Sequence, residues 1–378
     1  MNLLHRYVFR EVLIATLVAV GLFMFVMLGG TAIHDLVGRT ASGQLSVQQA
    51  GKMILLLVPF VLSYALPVGL LTAVLLVLGR ISAQHEITAM RSAGLGLVRI
   101  GAPVMLIAML GAGVSLVINY VYAPQSKAKY RELLFEVGQE NPEALIIPGT
   151  FVRDFPGAVV FVGQRDGPDL RDVWIWNLDK QHRVTSFTWL EHSTLRFDDV
   201  ENAVIVTALG RMLIDYRNEK DPENFFGVKG APSFDGNGYQ LRFELGEIFK
   251  RRVFERKVSW MDIGELIAEA RRLHGSTDPK DRLRLLDVRL NMHEKGAMAF
   301  SVLSFALVAV PLGIQTRRKE TSANLGLALA LTLFFYFGVI AVGWLDRRPD
   351  LHPELLLWGP NLIFQSLGAW MWWRFGRN

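Results

Sequence analysis

The sequence contains no cysteine, so disulfide bonds, cysteine-ligated zinc and iron–sulfur clusters are excluded. It also lacks a phosphate-binding loop, because "SVQQAGKM" has neither the first glycine nor the Ser or Thr that follows the lysine in that motif. The histidines are scattered along the chain without the spacing of a metal site. We therefore predict no catalytic residue, no metal site and no enzyme activity in this chain.

Charged residues are missing from six long apolar runs. About 20 apolar residues in a helix span the hydrocarbon core of a bilayer, and hydrophobic residues make up 51% of this chain. The runs therefore predict six transmembrane helices, at residues 12–33, 53–79, 100–126, 296–316, 321–345 and 355–373.

The missing charge also restricts the function. Proton-driven transporters usually carry ionisable residues inside the bilayer, and ion channels often carry a charged ring. None of the six runs contains Asp, Glu, His, Lys or Arg. If this protein moves a substrate, we expect an apolar path and an energy source in a partner protein.

Basic residues in the short loops predict the orientation. With the N-terminus in the cytoplasm, the inner segments hold Arg6, Arg10, Arg80, Arg91, Arg99, Arg317, Arg318, Lys319, Arg374 and Arg377. The short outer segments hold only Arg39, Lys52, Arg347 and Arg348. Both termini are therefore predicted to be cytoplasmic, with residues 127–295 outside. Much of the net charge of +5 flanks the spans in this way, so we predict no nucleic-acid partner.

The large outer segment changes character after residue 150. Short apolar runs such as "AVVFVG" and "DVWIWNL" alternate with turn formers such as "RDGPD", which predicts an all-β domain, a sandwich or a roll. Most of the three tryptophans Trp174, Trp176 and Trp189 are interpreted as core residues. The following segment predicts a helix with Ser259 as its N-cap and Asp262 in an acidic first turn, and then a second helix that continues into the fourth span.

The stretch "RISAQHEITAMRSAGLGLVRI" lies between the second and third spans. Read as a helix, it places Glu86, Ala89, Met90 and Ala93 on one face. Small side chains permit close approach, Met90 adapts to an irregular surface, and Glu86 could pair with a basic residue of a partner. The alternative is an ordinary interfacial helix with Glu86 facing water, and composition alone does not decide between them.

At these residues the chain resembles a known family. "HEITAMRSAG" is similar to the cytoplasmic coupling helix of LptF/LptG-type (YjgP/YjgQ) permeases of the lipopolysaccharide-export ABC transporter, and more loosely to the Glu-Ala-Ala loop of ABC importers. "RYVFREVL", "APQSKAKYREL", "VPLGI" and "WGPNLIFQSLGAWMWWR" resemble other segments of the family, in order and nearly end to end. "RYVFREVL" and "EITAMRSAGL" favour the LptF type, whereas "VRLNMHEK" is similar to the LptG type.

The resemblance implies a fold of six transmembrane helices with an inserted periplasmic, jellyroll-like β domain between the third and fourth helices. Its expected parts are helices 1–3 in residues 1–126, with a coupling helix at 80–97, the β domain in residues 127–258, and connector helices with helices 4–6 in residues 259–378. It also implies a multi-pass protein of the bacterial inner membrane whose residues 127–295 are periplasmic.

The same resemblance implies a function and partners. Two permeases, one of each type, pair with an LptB-type ATPase dimer, extract lipopolysaccharide from the outer leaflet through gates at the first and fifth helices, and pass it to LptC and LptA. ATP and magnesium would bind the ATPase, and this chain would hold no cofactor. Coupling to the ATPase is expected at Glu86, Ala89, Met90, Arg91, Ala93 and Gly94.

One part of the sequence departs from the family. Where the family often has Lys or Arg after the first helix, to meet the lipid phosphates, this chain reads "GGTAIHDLVGRT". Candidate phosphate contacts are therefore His34 and Arg39, with Arg347 and Arg348 beyond the fifth span as alternatives, although these two could instead be juxtamembrane anchors. Two other functions stay open: a membrane scaffold that needs no ATPase, and an ABC permease for another amphiphile such as a lipoprotein.

Overall fold

The structure is a computed structural model that describes residues 3–30, 36–37, 40, 45–140, 148–152, 157–179, 183–198, 203–216, 233–244, 257–276, 278–315, 321–344 and 352–376. The chain divides into two compact units. The first, helical unit comprises Met1–Gly38, Val47–Arg131 and Arg256–Asn378, and the second, sheet unit comprises Arg39–Ser46 and Glu132–Glu255.

The main helices follow the predicted runs and extend beyond them. They are α1 (Leu3–Leu28), α2 (Val47–Ala83), α3 (Glu86–Ser92), α4 (Leu97–Val117), α5 (Ala123–Glu140), α6 (Ile263–Leu273), α7 (Pro279–Gln315), α8 (Thr321–Gly343), α9 (Pro353–Leu356) and α10 (Gly359–Gly376). A π-helical turn, Ile118–Tyr122, joins α4 to α5 without a break. Because α2 and α7 each have 37 residues, each is about 55 Å long and exceeds the bilayer core.

Five of the described helices are long and apolar enough to cross a membrane: α1, α2, the continuous α4–α5 helix, α7 and α8. The sixth predicted run also folds as a helix, α10, which carries the polar residues Asn361, Gln365 and Arg374 and is therefore less apolar. The predicted architecture, a multi-pass helical protein with an inserted β domain, is confirmed.

One apolar core joins α1, α2, α4, α7, α8 and α10. At its centre Phe305 of α7 packs edge-to-face against Phe335 of α8 and Phe364 of α10, with ring centroids 4.9 and 5.5 Å away. Glycines allow close helix approach: a Cβ on Gly313 of α7 would lie 2.9 Å from the Leu78 Cβ of α2. Such small residues at helix contacts are typical of membrane bundles, where packing replaces the hydrophobic effect.

In its described residues, the sheet unit forms an antiparallel sheet. Its strands are β1 (Phe151–Val152), β2 (Ala158–Asp166), β3 (Asp169–Leu178), β4 (Val184–Asp198), β5 (Ala203–Tyr216), β6 (Ser233–Asp235) and β7 (Gln240–Glu244). They follow an up-and-down order from β1 to β5. The long β5 then pairs with β6 near one end and with β7 near the other.

The two faces of this sheet differ in side-chain type. Val162, Val173, Leu190 and Met212 stand opposite one another across four strands and are buried. The residues between them along the strands point to the opposite side and form an aromatic face, which consists of Phe151, Phe161, Trp174, Trp176, Phe187 and Trp189.

The structure corrects the interpretation of the three tryptophans. Trp174, Trp176 and Trp189 lie on the aromatic face and are half-buried, outside the buried aliphatic cluster. Residues 158–162 of β2 and 173–176 of β3 are all apolar, so the period-2 signal that tells the core face from the other face is weak there.

The helix after the sheet begins later than the sequence suggested. Asp262, and not Ser259, caps α6 through a capping box in which the Asp262 carboxylate accepts from the Glu265 backbone N–H, and the Glu265 carboxylate accepts from the Asp262 N–H. The predicted second helix, α7, begins at Pro279 and continues as a single helix through the fourth predicted span.

Candidate functional site

The predicted coupling segment folds as a short helix between two turns. Its helical part, α3, covers Glu86–Ser92, so the expected helix over residues 80–97 is too long. His85 has a left-handed φ of 62° just before α3 and Gly94 has a φ of 84° just after it. These two turns separate α3 from the neighbouring helices, because left-handed backbone cannot continue a right-handed helix.

One face of α3 is buried in the helical unit. Ile87 and Met90 belong to the apolar core and are 4% and 9% exposed. This corrects the expected outward position of Met90, which packs beneath the helix and anchors it. The exposed surface consists of Thr88, Ala89, Arg91, Ser92, Ala93 and Gly94, so it combines small side chains with one basic residue.

Glu86 is half-buried at the start of α3 and has a partner within the chain. The Glu86 carboxylate lies close to the Tyr7 hydroxyl of α1. One turn further along α1, Glu11 forms an ion pair with Arg80 at the end of α2. The coupling segment is thus connected to the first helix by two polar contacts.

A third contact connects this region to α7. The Ser82 hydroxyl donates to the Ile314 backbone carbonyl at 2.7 Å. Sequence reasoning missed all three contacts because they join distant segments. The only local signal was the i, i+4 spacing of Tyr7 and Glu11, which places them on one face of α1.

The predicted phosphate contacts His34, Arg39, Arg347 and Arg348 lie outside the described residues, so their role stays a prediction. Among the described residues, no group of three or more His, Asp or Glu side chains could hold a metal ion.

Of the five described helices that are long and apolar enough to cross a membrane, α1 and α8 are the least covered. In an apolar 18-residue stretch of each helix, only 11% of the residues of α1 and 11% of those of α8 are buried, compared with 72% of those of α7. On α8 the exposed residues recur at helical spacing and form one continuous stripe: Leu325, Leu329, Leu333, Phe337 and Ile340. These faces can meet lipid tails or an apolar partner without desolvation of polar groups.

On the sheet, the aromatic face surrounds one carboxylate. Asp172 adopts a left-handed φ of 54° and accepts hydrogen bonds from the indole N–H groups of Trp174 and Trp189, both at 2.8 Å. Beside it, Arg211 donates two hydrogen bonds to Glu191. The guanidinium holds the pKa of the Glu191 carboxyl below its usual range because it stabilises the ionised form.

The arrangement of membrane helices, inserted sheet and short exposed helix can be compared with known proteins. The family model for the lipopolysaccharide export system permease LptF/LptG matches residues 6–374. The chain belongs to the LptF/LptG family. It is therefore related to inner-membrane permease subunits of a transporter, and the predicted family is confirmed.

Individual relatives agree with this assignment. The chain is 21% identical to the lipopolysaccharide export system permease protein LptF of Escherichia coli K12, over 96% of this chain and 92% of the relative. The protein of the same name from Shigella flexneri matches with the same identity and coverage. These LptF relatives agree with the preference for the LptF type that the first and coupling segments indicated.

Proposed function

We propose that this chain is the LptF-type subunit of a transporter that an ATPase drives to extract lipopolysaccharide from the outer leaflet of the inner membrane. The observation that carries the proposal is the exposed small-residue surface of α3, anchored from below by Ile87 and Met90. An LptB-type ATPase dimer binds there, and it alone holds ATP and magnesium. A second permease of the family completes the membrane part.

The contacts of α3 suggest how movement of the ATPase reaches the membrane helices. A displaced α3 pulls on α1 through Tyr7–Glu86 and Arg80–Glu11, and on α7 through Ser82. Because α1 is largely uncovered, it can tilt at lower cost than the packed α7. Movement of α1 relative to the core would open and close a lateral path for an apolar lipid.

The uncovered faces of α1 and α8 support lateral entry of lipid at these two helices. They are the first and fifth spans, and their exposed residues are apolar, as acyl chains require. With both termini cytoplasmic, the sheet unit lies in the periplasm and passes lipopolysaccharide to the bridge that LptC and LptA form. His34, Arg39, Arg347 and Arg348 are the proposed phosphate contacts.

Co-purification tests the coupling. The solubilised chain, expressed with its operon partners, should bring down an ABC ATPase, and Glu86→Ala should reduce the recovered ATPase about tenfold, as expected for loss of a charged hydrogen bond. Tyr7→Phe is the matched control because it removes only the contact within the chain. Equal loss in both variants would assign Glu86 a structural role, and no ATPase with the wild-type chain would refute the proposal.

Photo-crosslinkers on α1 and α8 test the cargo. Placed at Leu22 and Leu329, which are both exposed, they should capture lipopolysaccharide in cells, whereas one at the buried Phe305 should not. Capture of a lipoprotein instead would show a permease for another amphiphile. Capture that does not depend on ATP hydrolysis would favour the scaffold.

A further inference from the structure

A polar cavity of about 100 Å³ lies in the helical unit, at the end of the bundle opposite α3. Three charged side chains line it: Lys127 of α5, and Glu294 and Lys295 of α7. Phe60 and Tyr64 of α2 form part of the wall. The predicted apolar runs ended directly beside these charges, at residues 126 and 296, so sequence reasoning did not consider them.

The cavity lies at the depth of lipid head groups. Ser82 of α2 hydrogen-bonds to Ile314 of α7, so these two residues share one level near the α3 end. Phe60 precedes Ser82 by about 22 residues, and Glu294 precedes Ile314 by about 20, which places both about 30 Å away along their helices. That distance matches the thickness of the hydrocarbon core.

The two lysines retain unused hydrogen-bond donors. The Lys295 ammonium donates one bond to the Met261 carbonyl at 2.6 Å, and an ammonium group has three N–H donors. The Lys127 ammonium lies 4.5 Å from the centre of the Phe60 ring, and it donates to no side chain or carbonyl of the described residues.

The carboxylate between them also lacks a direct partner. Glu294 is half-buried and makes no direct hydrogen bond or ion pair within the described part of the chain, although the charges of Lys127 and Lys295 both act on it. Buried charges are costly unless they are paired. A purely anionic occupant would leave Glu294 unpaired and repelled, and a purely cationic occupant would be repelled by both lysines.

We propose that this cavity binds the zwitterionic head group of a membrane phospholipid, with its phosphate on Lys127 and Lys295 and its ammonium on Glu294. Such a head group carries both signs at short separation, so it pairs all three side chains at once. The cavity has room for roughly seven to ten water-sized groups, at about 10–15 Å³ of accessible volume each, and the acyl chains would stay in the bilayer. This lipid would be a bound structural component and not cargo, so the inference goes beyond the proposed transport function and does not rest on it.

Native mass spectrometry of the purified full chain tests the lipid class. The delipidated protein would be mixed with phosphatidylethanolamine, phosphatidylglycerol or inorganic phosphate in separate samples. We expect retention of phosphatidylethanolamine at least about tenfold above phosphatidylglycerol, given the charged hydrogen bond to Glu294. Equal retention of the two lipids would overturn the role of the ammonium. Displacement of the lipid by millimolar inorganic phosphate would identify a free-anion site instead.

Substitutions locate the site on these residues. Lys127→Gln should weaken phosphatidylethanolamine retention about tenfold, whereas Lys129→Gln should not change it, because Lys129 is exposed on the same helix and outside the cavity. Glu294→Gln should remove the preference for phosphatidylethanolamine over phosphatidylglycerol. Since all three variants can be checked for an unchanged elution volume, unchanged retention in Lys127→Gln would overturn the proposal even if Glu294→Gln does not fold.

Discussion

The membrane-spanning stretches of α7, α1 and α8 are almost equally apolar, but they are packed very differently. Over apolar 18-residue stretches, the mean hydropathy is 2.2 in α7, 2.5 in α1 and 2.4 in α8. In the same stretches 72% of the residues are buried in α7, but only 11% in α1 and in α8. In a lipid environment an exposed apolar face has no hydrophobic penalty. Hydropathy therefore identifies the spans. Only packing shows which of them form the packed centre around Phe305, here called the frame, and which present free faces.

This difference divides the helical unit into a packed centre and helices with free faces. The frame around Phe305 is held by interlocked rings and close glycine contacts. The uncovered helices are attached to it along one side. Substitutions in the frame should therefore lower stability, and substitutions on the free faces should affect transport while stability is unchanged.

The largest effect is expected at the centre of the frame. Phe305 is 0% exposed, and Phe305→Ala should lower the free energy of unfolding by about 3 kcal/mol or more, because the ring contacts are lost and a cavity is left. Denaturation of the detergent-solubilised chain, followed by circular dichroism, measures it. Leu329→Ala on α8, where the side chain is 60% exposed, is the control and should change little. Similar losses in both variants would show that the contrast between frame and periphery is wrong.

A smaller effect is expected in the polar contacts that join α7 and α10. The buried Asn361 amide accepts from the Ser304 hydroxyl at 2.6 Å and donates to the Ala297 carbonyl at 2.9 Å. Asn361→Leu should lower the free energy of unfolding by about 1–2 kcal/mol, the range for hydrogen bonds between membrane helices. The same denaturation measurement checks it, and an unchanged or higher stability would show that α10 is held by apolar packing alone.

The smallest effect on stability is expected at the link between α1 and α2. Arg80 and Glu11 are partly exposed, so Glu11→Gln should change the free energy of unfolding by less than about 1 kcal/mol. Transport driven by ATP in reconstituted vesicles should nevertheless fall, because α1 is no longer pulled by the coupling segment.

A charge swap sharpens this last prediction. Glu11→Arg combined with Arg80→Glu restores the ion pair in reverse, so transport should recover relative to either single variant. Full transport in both single variants would show that the ion pair does not transmit movement to α1.

Sequence reasoning located the helices well and missed contacts between distant segments. The length of the uncharged apolar runs was sufficient to locate the spans, because a helix is one of the few structures that can cross a bilayer. The cap of α6 was assigned to Ser259 instead of Asp262, since both residue types cap helices well and the two residues lie three apart. Met90 was placed outward because helical spacing gives relative positions around α3 and does not show which side the core occupies.

The candidate sites show the same limit. The segment around Glu86 was visible from its composition, but its contacts come from elsewhere: Tyr7 lies on α1, and Arg80 and Ser82 lie at the end of α2. The charges of the cavity, Lys127 and Glu294, lie far apart in sequence and meet only after the helices pack. In the hydropathy pattern these charges only mark where two spans end. The pattern does not show that the two ends lie side by side.

The most direct test of the coupling claim uses the absence of native cysteine. Single cysteines at Ala89, Ala93, Ile87 or Leu3, each carrying a photoactivatable thiol-linked group, would be crosslinked in membranes that contain the assembled transporter. The exposed α3 positions Ala89 and Ala93 should give an adduct with the ATPase. The buried Ile87 and the exposed Leu3 of α1 should not. Adducts of Ala89 and Ala93 with lipid alone would contradict the account.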